Sequence, residues 1–239
     1  MGSFFDYNVY PTIGAGNYGI IVQSSSREVL KLLKEYENYS LLKKEADIQT
    51  AVHTLFKTYL PEVKVPAPTY YSQDIIRYKE SLYLCGIGME YVEPPEGYTT
   101  QVHTVLGYHS TDIDTVWGMH TADPVSPMNP PRGFFASTYT LEDIWEDEGS
   151  YMTIETLAYQ MGKAHRLMVD HGILPIDLEW VWSNGALWAI DFGLCEFDNV
   201  NFDEFLKWEN SYGLKNDFYV PHKGDRGYEE FIQGYRNYP

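Results

Sequence analysis

Cysteine is scarce in this chain of 239 residues, which holds only Cys85 and Cys195. They lie far apart without metal-type spacing, which argues against a zinc site and against a disulfide scaffold. Basic residues are also few: 17 Lys and Arg face 34 Asp and Glu, a net charge of −17. A phosphate backbone needs a basic footprint, so a nucleic-acid partner is disfavoured. A soluble, acidic, cytoplasmic protein is the plain expectation, and a pocket for a cationic amine or guanidinium the sharper one. No apolar run approaches the roughly 20 residues of a membrane span, so no membrane role is expected. The opening MGSFFDYNVYPT has no basic stretch followed by an apolar run, as a secretory leader would. Asp6 stands where a myristoylation motif wants Ser or Thr.

What is present is a globular composition, 44% hydrophobic and 16% aromatic, with 21 tyrosines. Residues 10–34 hold two β-rich runs around the polar stretch Gln23–Glu28, which predicts a hairpin. Residues 40–59 predict a helix, with Ser40 as N-cap and Leu41, Ile48, Val52, Leu55 and Phe56 at helical spacing. VPAP at 65–68 breaks the chain, and strand-like runs follow at Thr69–Arg77 and Ser81–Val92. EPPEG at 93–97 reads as a linker between 1–92 and 93–239. The acidic run LEDIWEDEG, within 98–150, suits a solvated helix. Residues 152–170 predict the clearest helix, capped by Thr153, with a stripe of Ile154, Leu157, Ala158, Met161, Ala164 and Met168. Strands Glu179–Trp182 and Leu187–Ile190 bracket the turn SNG at 183–185.

Several motifs sit on these elements. Gly14, Gly16 and Gly19 form G-x-G-x-x-G, followed by the strand-like GIIVQ rather than by a helix. A dinucleotide-binding fold needs the helix; a phosphate-covering hairpin needs the strand. Lys31 follows in the apolar run VLKLL, and Glu45 lies on the next helix on the face of Ile48 and Val52. LCGIGMEYVEPP ends an apolar strand at Met89 and continues through Glu90 and Val92 into a proline linker. AIDFG places Asp191-Phe192-Gly193 after another apolar strand.

In this order the motifs resemble a protein kinase over roughly residues 10–193. The resemblance implies an α+β, minimal bilobal kinase-like fold, with a β-rich N-lobe carrying one helix (1–92) and a reduced helical C-lobe (93–239). It implies ATP cradled by Gly14, Gly16 and Gly19, a Lys31–Glu45 pair on the phosphates, a nucleobase on the Glu90–Val92 hinge, and Mg²⁺ on Asp191.

The catalytic loop departs from the pattern. His171-Gly172-Ile173 stands where H-R-D or H-G-D is expected, which puts Ile173 at the place of the catalytic base. Counting back from the D-F-G end, Glu179 overlays the metal-binding Asn and Leu174 the base. Asp177 is the nearest acid. On an extended segment Asp177 and Glu179 share a side, which suits a metal or a cation. One account gives Asp177 the base role and makes Glu179, with Asp191, a metal ligand; in the other the base is lost. Only 46 residues follow Gly193 and no A-P-E appears, so a peptide-docking platform is not expected.

The stretches MEYVEPP, MGKAHRLMVDHGILPIDLEWVW, LWAIDFGLCEF and GLKNDFYVPHKGDRGYEEFIQGY also resemble a fungal kinase-like family that often carries a zinc-finger label. Asp177, Glu179, Val181, Asn216, Asp217, Tyr219 and Pro221 match its pattern, which ends in an aromatic helix. Some similar proteins belong to natural-product pathways and join aminoacyl-tRNAs, one of them arginyl, into cyclic dipeptides. The resemblances imply three readings: an ATP- and Mg²⁺-dependent phosphotransferase on a small, cationic molecule; a tRNA-dependent cyclodipeptide synthase; and a nucleotide-binding pseudokinase. None of them calls for zinc.

Overall fold

The computed structural model describes residues 11–15, 19–33, 39–78, 81–92, 154–176, 178–183, 185–198 and 227–238. The acidic run before residue 150, the Thr153 cap, and Asn216, Asp217, Tyr219 and Pro221 lie outside them. The chain divides into two compact units, Met1–Thr54 with Val65–Val92, and Leu55–Lys64 with Glu93–Pro239.

The first unit is built on one antiparallel sheet. Strands β1 (Thr12–Ala15), β2 (Gly19–Gln23), β3 (Glu28–Leu33), β5 (Pro68–Tyr78) and β6 (Ser81–Glu90) run in the order β1-β2-β3-β6-β5. The β2–β3 hairpin forms where the polar turn residues predict it. The backbone N–H groups of Ser24 and Ser25 both donate to the Glu28 carbonyl, and the Ser24 hydroxyl donates to it as well. Strand β3 is buried along nearly its whole length, Val29, Leu30, Leu32 and Leu33 all being at most 5% exposed.

Helix α1 (Tyr39–Tyr59) follows β3. It starts before Ser40, so that residue lies inside the first turn rather than at the cap. Ile48, Val52 and Phe56 are buried as the spacing predicts and Leu55 is half-buried, but at the start of the stripe Leu42 takes the place expected of Leu41. Leu41 is 36% exposed while Leu42 is 1%, and Leu42, Ala46, Ile48 and Val52 face inward. Leu42 and Ala46 join Leu33 and Ile87 in one apolar cluster against which Met89 packs.

The second unit centres on α2 (Ile154–Asp170), whose Leu157, Ala158, Met161, Ala164 and Met168 are fully buried as the spacing predicts. It packs on the closing helix α3 (Tyr228–Asn237) through Phe231 and Tyr235. The backbones approach closely at two glycines. A Cβ on Gly162 would stand 2.1 Å from the Phe231 carbonyl oxygen, and one on Gly234 2.1 Å from that of Tyr159. Lys163 reaches the Glu62 carboxylate at 2.5 Å and lies over the rings of Tyr159 and Tyr238. His165, wholly buried on α2, stacks on Trp180 at 5.8 Å and meets the edge of Phe231 at 5.4 Å.

A second, small sheet adds β4 (Val63–Lys64), parallel to β9 (Ala186–Ile190), which pairs in turn with β8 (Glu179–Ser183). Strand β7 (Ile173–Leu174) pairs antiparallel with β10 (Glu196–Phe197).

Candidate functional site

Lys31 occupies the one position of β3 where the apolar run is interrupted, opposite Ile21 on β2 and Ile87 on β6. Its ammonium donates to Glu45 Oε1 at 2.6 Å, and the two side chains are only 16% and 6% exposed. Desolvating two charges costs several kcal/mol per ion, about what their attraction returns, so such a pair is not explained by stability alone. The pair is the strongest geometric match to the kinase plan, a lysine on the third strand held by a glutamate of the following helix.

Two of the three motif glycines fall on strands. Gly14 is in β1 opposite Ile21, beside a register shift, and Gly16 lies outside the described residues. Gly19 begins β2, where a Cβ would stand 2.3 Å from the Leu32 carbonyl oxygen. A close approach of β2 to β3 therefore already requires glycine there, whatever binds above it.

At the end of β6 the backbone N–H of Glu90 donates to the Ala67 carbonyl at 3.0 Å, and the Glu90 carboxylate accepts from the Ala67 N–H at 3.3 Å. The Tyr91 N–H donates to Arg27. Glu90 is exposed and Val92 half-buried.

In the second unit, Glu179 opens β8 directly opposite Ile190, the last residue of β9 and the neighbour of Asp191. The hairpin thus brings the backbones of Glu179 and Asp191 to one end. Asp191 has φ 55, a left-handed conformation that is uncommon outside glycine and easiest for Asp and Asn. The Gly193 N–H donates to its Oδ1 at 3.3 Å, while Phe192 is fully buried behind it. An exposed carboxylate on such a turn has the chemistry of a Mg²⁺ ligand, and oxygen donors are what that ion takes. Among the described residues no group of three metal-binding side chains is assembled.

The loop before β8 differs from the alignments drawn on sequence. His171 and Gly172 are the stop of α2, not the start of a catalytic loop. The His171 and Gly172 N–H groups donate to Met168 and Val169, and Gly172 has φ 69, the left-handed cap that commonly ends a helix. Ile173 and Leu174 form β7 and are 2% and 3% exposed. They are core residues on a strand, where a charged base would be stripped of water. Only four residues, 175–178, separate β7 from β8. Asp177 is the one acid among them by sequence and itself lies outside the described residues.

Sequence reasoning missed two polar residues of α1. Gln49, 1% exposed, donates from Nε2 to the Pro66 carbonyl at 2.9 Å and touches Met89 Sδ at 3.6 Å. His53 Nδ1 contacts the Val65 carbonyl at 2.9 Å. With Glu45 they are spaced four apart, a signal hidden by attention to the apolar stripe.

No protein-family model matches the chain, and no curated protein does. Among solved structures it is similar to the streptomycin–ATP ternary complex of APH(2″)-IIa at 14% identity, over 95% of this chain and 80% of that one, with a TM-score of 0.40. It is similar to ADP-bound aminoglycoside phosphotransferase APH(2″)-Ib at 12% identity, over 95% and 77%, with a TM-score of 0.36. It is also similar to macrolide 2′-phosphotransferase MphH from Brachybacterium faecium at 12% identity, over 95% and 76%, TM-score 0.36. Likenesses this distant carry no weight toward substrate or chemistry. The fold is α+β and kinase-like on the chain's own strand order, its Lys31–Glu45 pair and the Asp191 turn.

Proposed function

We propose that the chain is an ATP- and Mg²⁺-dependent phosphotransferase acting on a small cationic molecule, an amine or guanidinium. The buried Lys31–Glu45 pair carries the reading, because it aims a lysine where α- and β-phosphates lie in kinases. Gly14, Gly16 and Gly19 would lie over the phosphates, and Glu90 and Val92 would border the nucleobase. Glu179 and Asp191 would hold Mg²⁺, which supplies charge neutralisation on the phosphoryl oxygens. Asp177 would accept the proton of the attacking group. The excess of 34 acidic over 17 basic residues favours a cation as acceptor and disfavours tRNA.

The short step from β7 to β8 supports a second reading. In a kinase the catalytic Asp precedes the metal-binding Asn by five residues, whereas here Asp177 precedes Glu179 by two. A loop that short favours a kinase-derived protein that binds nucleotide without phosphorylating. It has two forms, a pseudokinase and an enzyme of other chemistry such as a cyclodipeptide synthase.

Thermal unfolding with and without millimolar Mg-ATP tests the first step, since a ligand of the folded state raises the melting temperature. No rise in the wild-type protein would overturn the phosphotransferase proposal. A rise without ADP release on a panel of amines and guanidines would leave the pseudokinase reading. Cyclic dipeptide formed from charged tRNA, without ATP, would replace both.

A further inference from the structure

We infer that Gln49 and His53 are positioning residues that hold α1 so that Glu45 meets Lys31. The inference rests on the proposed role of Lys31 only for its consequence in nucleotide binding; the contacts themselves do not depend on it.

Glu45, Gln49 and His53 recur every fourth residue and so form one line along α1. Each reaches a different part of the same unit. Glu45 takes the Lys31 ammonium from β3, Gln49 donates to the Pro66 carbonyl, and His53 Nδ1 meets the Val65 carbonyl. Residues 65–67 belong to no strand, so the carbonyls of Val65 and Pro66 lack the partners a sheet ladder would give them. The next residue, Ala67, exchanges two hydrogen bonds with Glu90 at the end of β6. The helix bearing Glu45 is thereby tied, through three consecutive residues, to the strand end that would border a nucleobase.

A purely structural explanation would be that the side chains satisfy two buried carbonyls. Gln49 argues for more. Its Oε1 is buried and has no hydrogen-bond partner among the described residues, which costs a free energy that a methionine of similar volume would avoid. A glutamine at that place is a poor choice for stability alone and a sound one for fixing helix position. Two variants separate the explanations: Gln49→Met, which keeps volume, and His53→Phe, at a half-buried site.

The readout is amine acylation of Lys31 by acetic anhydride, followed by mass spectrometry, in the nucleotide-free full-length protein. Exposed Lys43 serves as the internal standard. Loss of a hydrogen bond of ordinary strength should loosen the ion pair and raise Lys31 labelling about five-fold. The Gln49→Met melting temperature should stay within a few degrees of wild type. Increased Lys31 labelling in either folded variant, with Lys43 unchanged, supports the inference. Wild-type labelling in both overturns it, whatever Mg-ATP does. If Lys31 responds while the wild-type protein shows no Mg-ATP shift, the positioning role stands and the phosphotransferase proposal fails.

Discussion

His165 makes the acid stability of the protein calculable. Burial without exposure lowers its pKa from 6.5 to about 3, because the charged imidazole loses water among Trp180 and Phe231. In the unfolded chain the ring titrates near its ordinary value. Above pH 6.5 both states are neutral and His165 contributes no pH dependence. Below it the unfolded state binds a proton that the folded state refuses, so stability falls as pH falls, until about pH 3. Each pH unit in that window is worth about 1.4 kcal/mol, so going from about pH 7 to about pH 5 costs roughly 2 kcal/mol. Urea unfolding of the wild type and of His165→Leu at both pH values isolates the effect, since the many carboxylates are common to both. The wild type should lose roughly 2 kcal/mol more than the variant between the two conditions. Equal losses, within about 0.5 kcal/mol, would refute the account of a neutral buried imidazole.

Other perturbations have defined outcomes. Gly162→Ala and Gly234→Ala each drive a Cβ onto a backbone carbonyl of the facing helix, and each should destabilise by about 1–3 kcal/mol in thermal or urea unfolding. Asp191→Asn should remove the Mg²⁺-dependent part of any ATP-induced thermal shift while leaving the part seen with ATP in EDTA. Lys43→Ala breaks an exposed ion pair with Asp47 one helical turn away and should change stability by less than about 0.5 kcal/mol. These outcomes would check, in turn, the α2–α3 contact, the metal role and the screening of surface charge.

The parts of the fold that were legible in the sequence are those set by local chemistry. The Ser24–Arg27 turn, the α2 stripe and the β8–β9 hairpin follow from turn residues and periodicity. Lys31 and Glu45 were legible because charges within apolar runs demand partners. Other features depended on context that periodicity does not carry. Leu41 and Leu42 are adjacent and chemically identical, and only the rotation of α1 against the cluster of Leu33 and Ile87 selects Leu42. His171-Gly172-Ile173 spells part of a catalytic motif, yet the chain uses the glycine to stop a helix and the isoleucine to pair with Phe197. Gln49 and His53 were missed because their partners are backbone carbonyls, which no side-chain pattern reveals.

The ladder between β7 and β10 is only two residues long, extended by one bond from the Asp198 N–H to Gly172. Protection against hydrogen exchange grows with the number of bonds that must open together, so such a ladder opens by local unfolding well before α2 and α3 separate. The amides of Phe197 and Asp198 should therefore exchange faster than those of Leu157 through Met168. Asp191 sits five residues before that ladder, so its turn inherits the short lifetime of a two-residue clasp rather than the permanence of the helical core beside it.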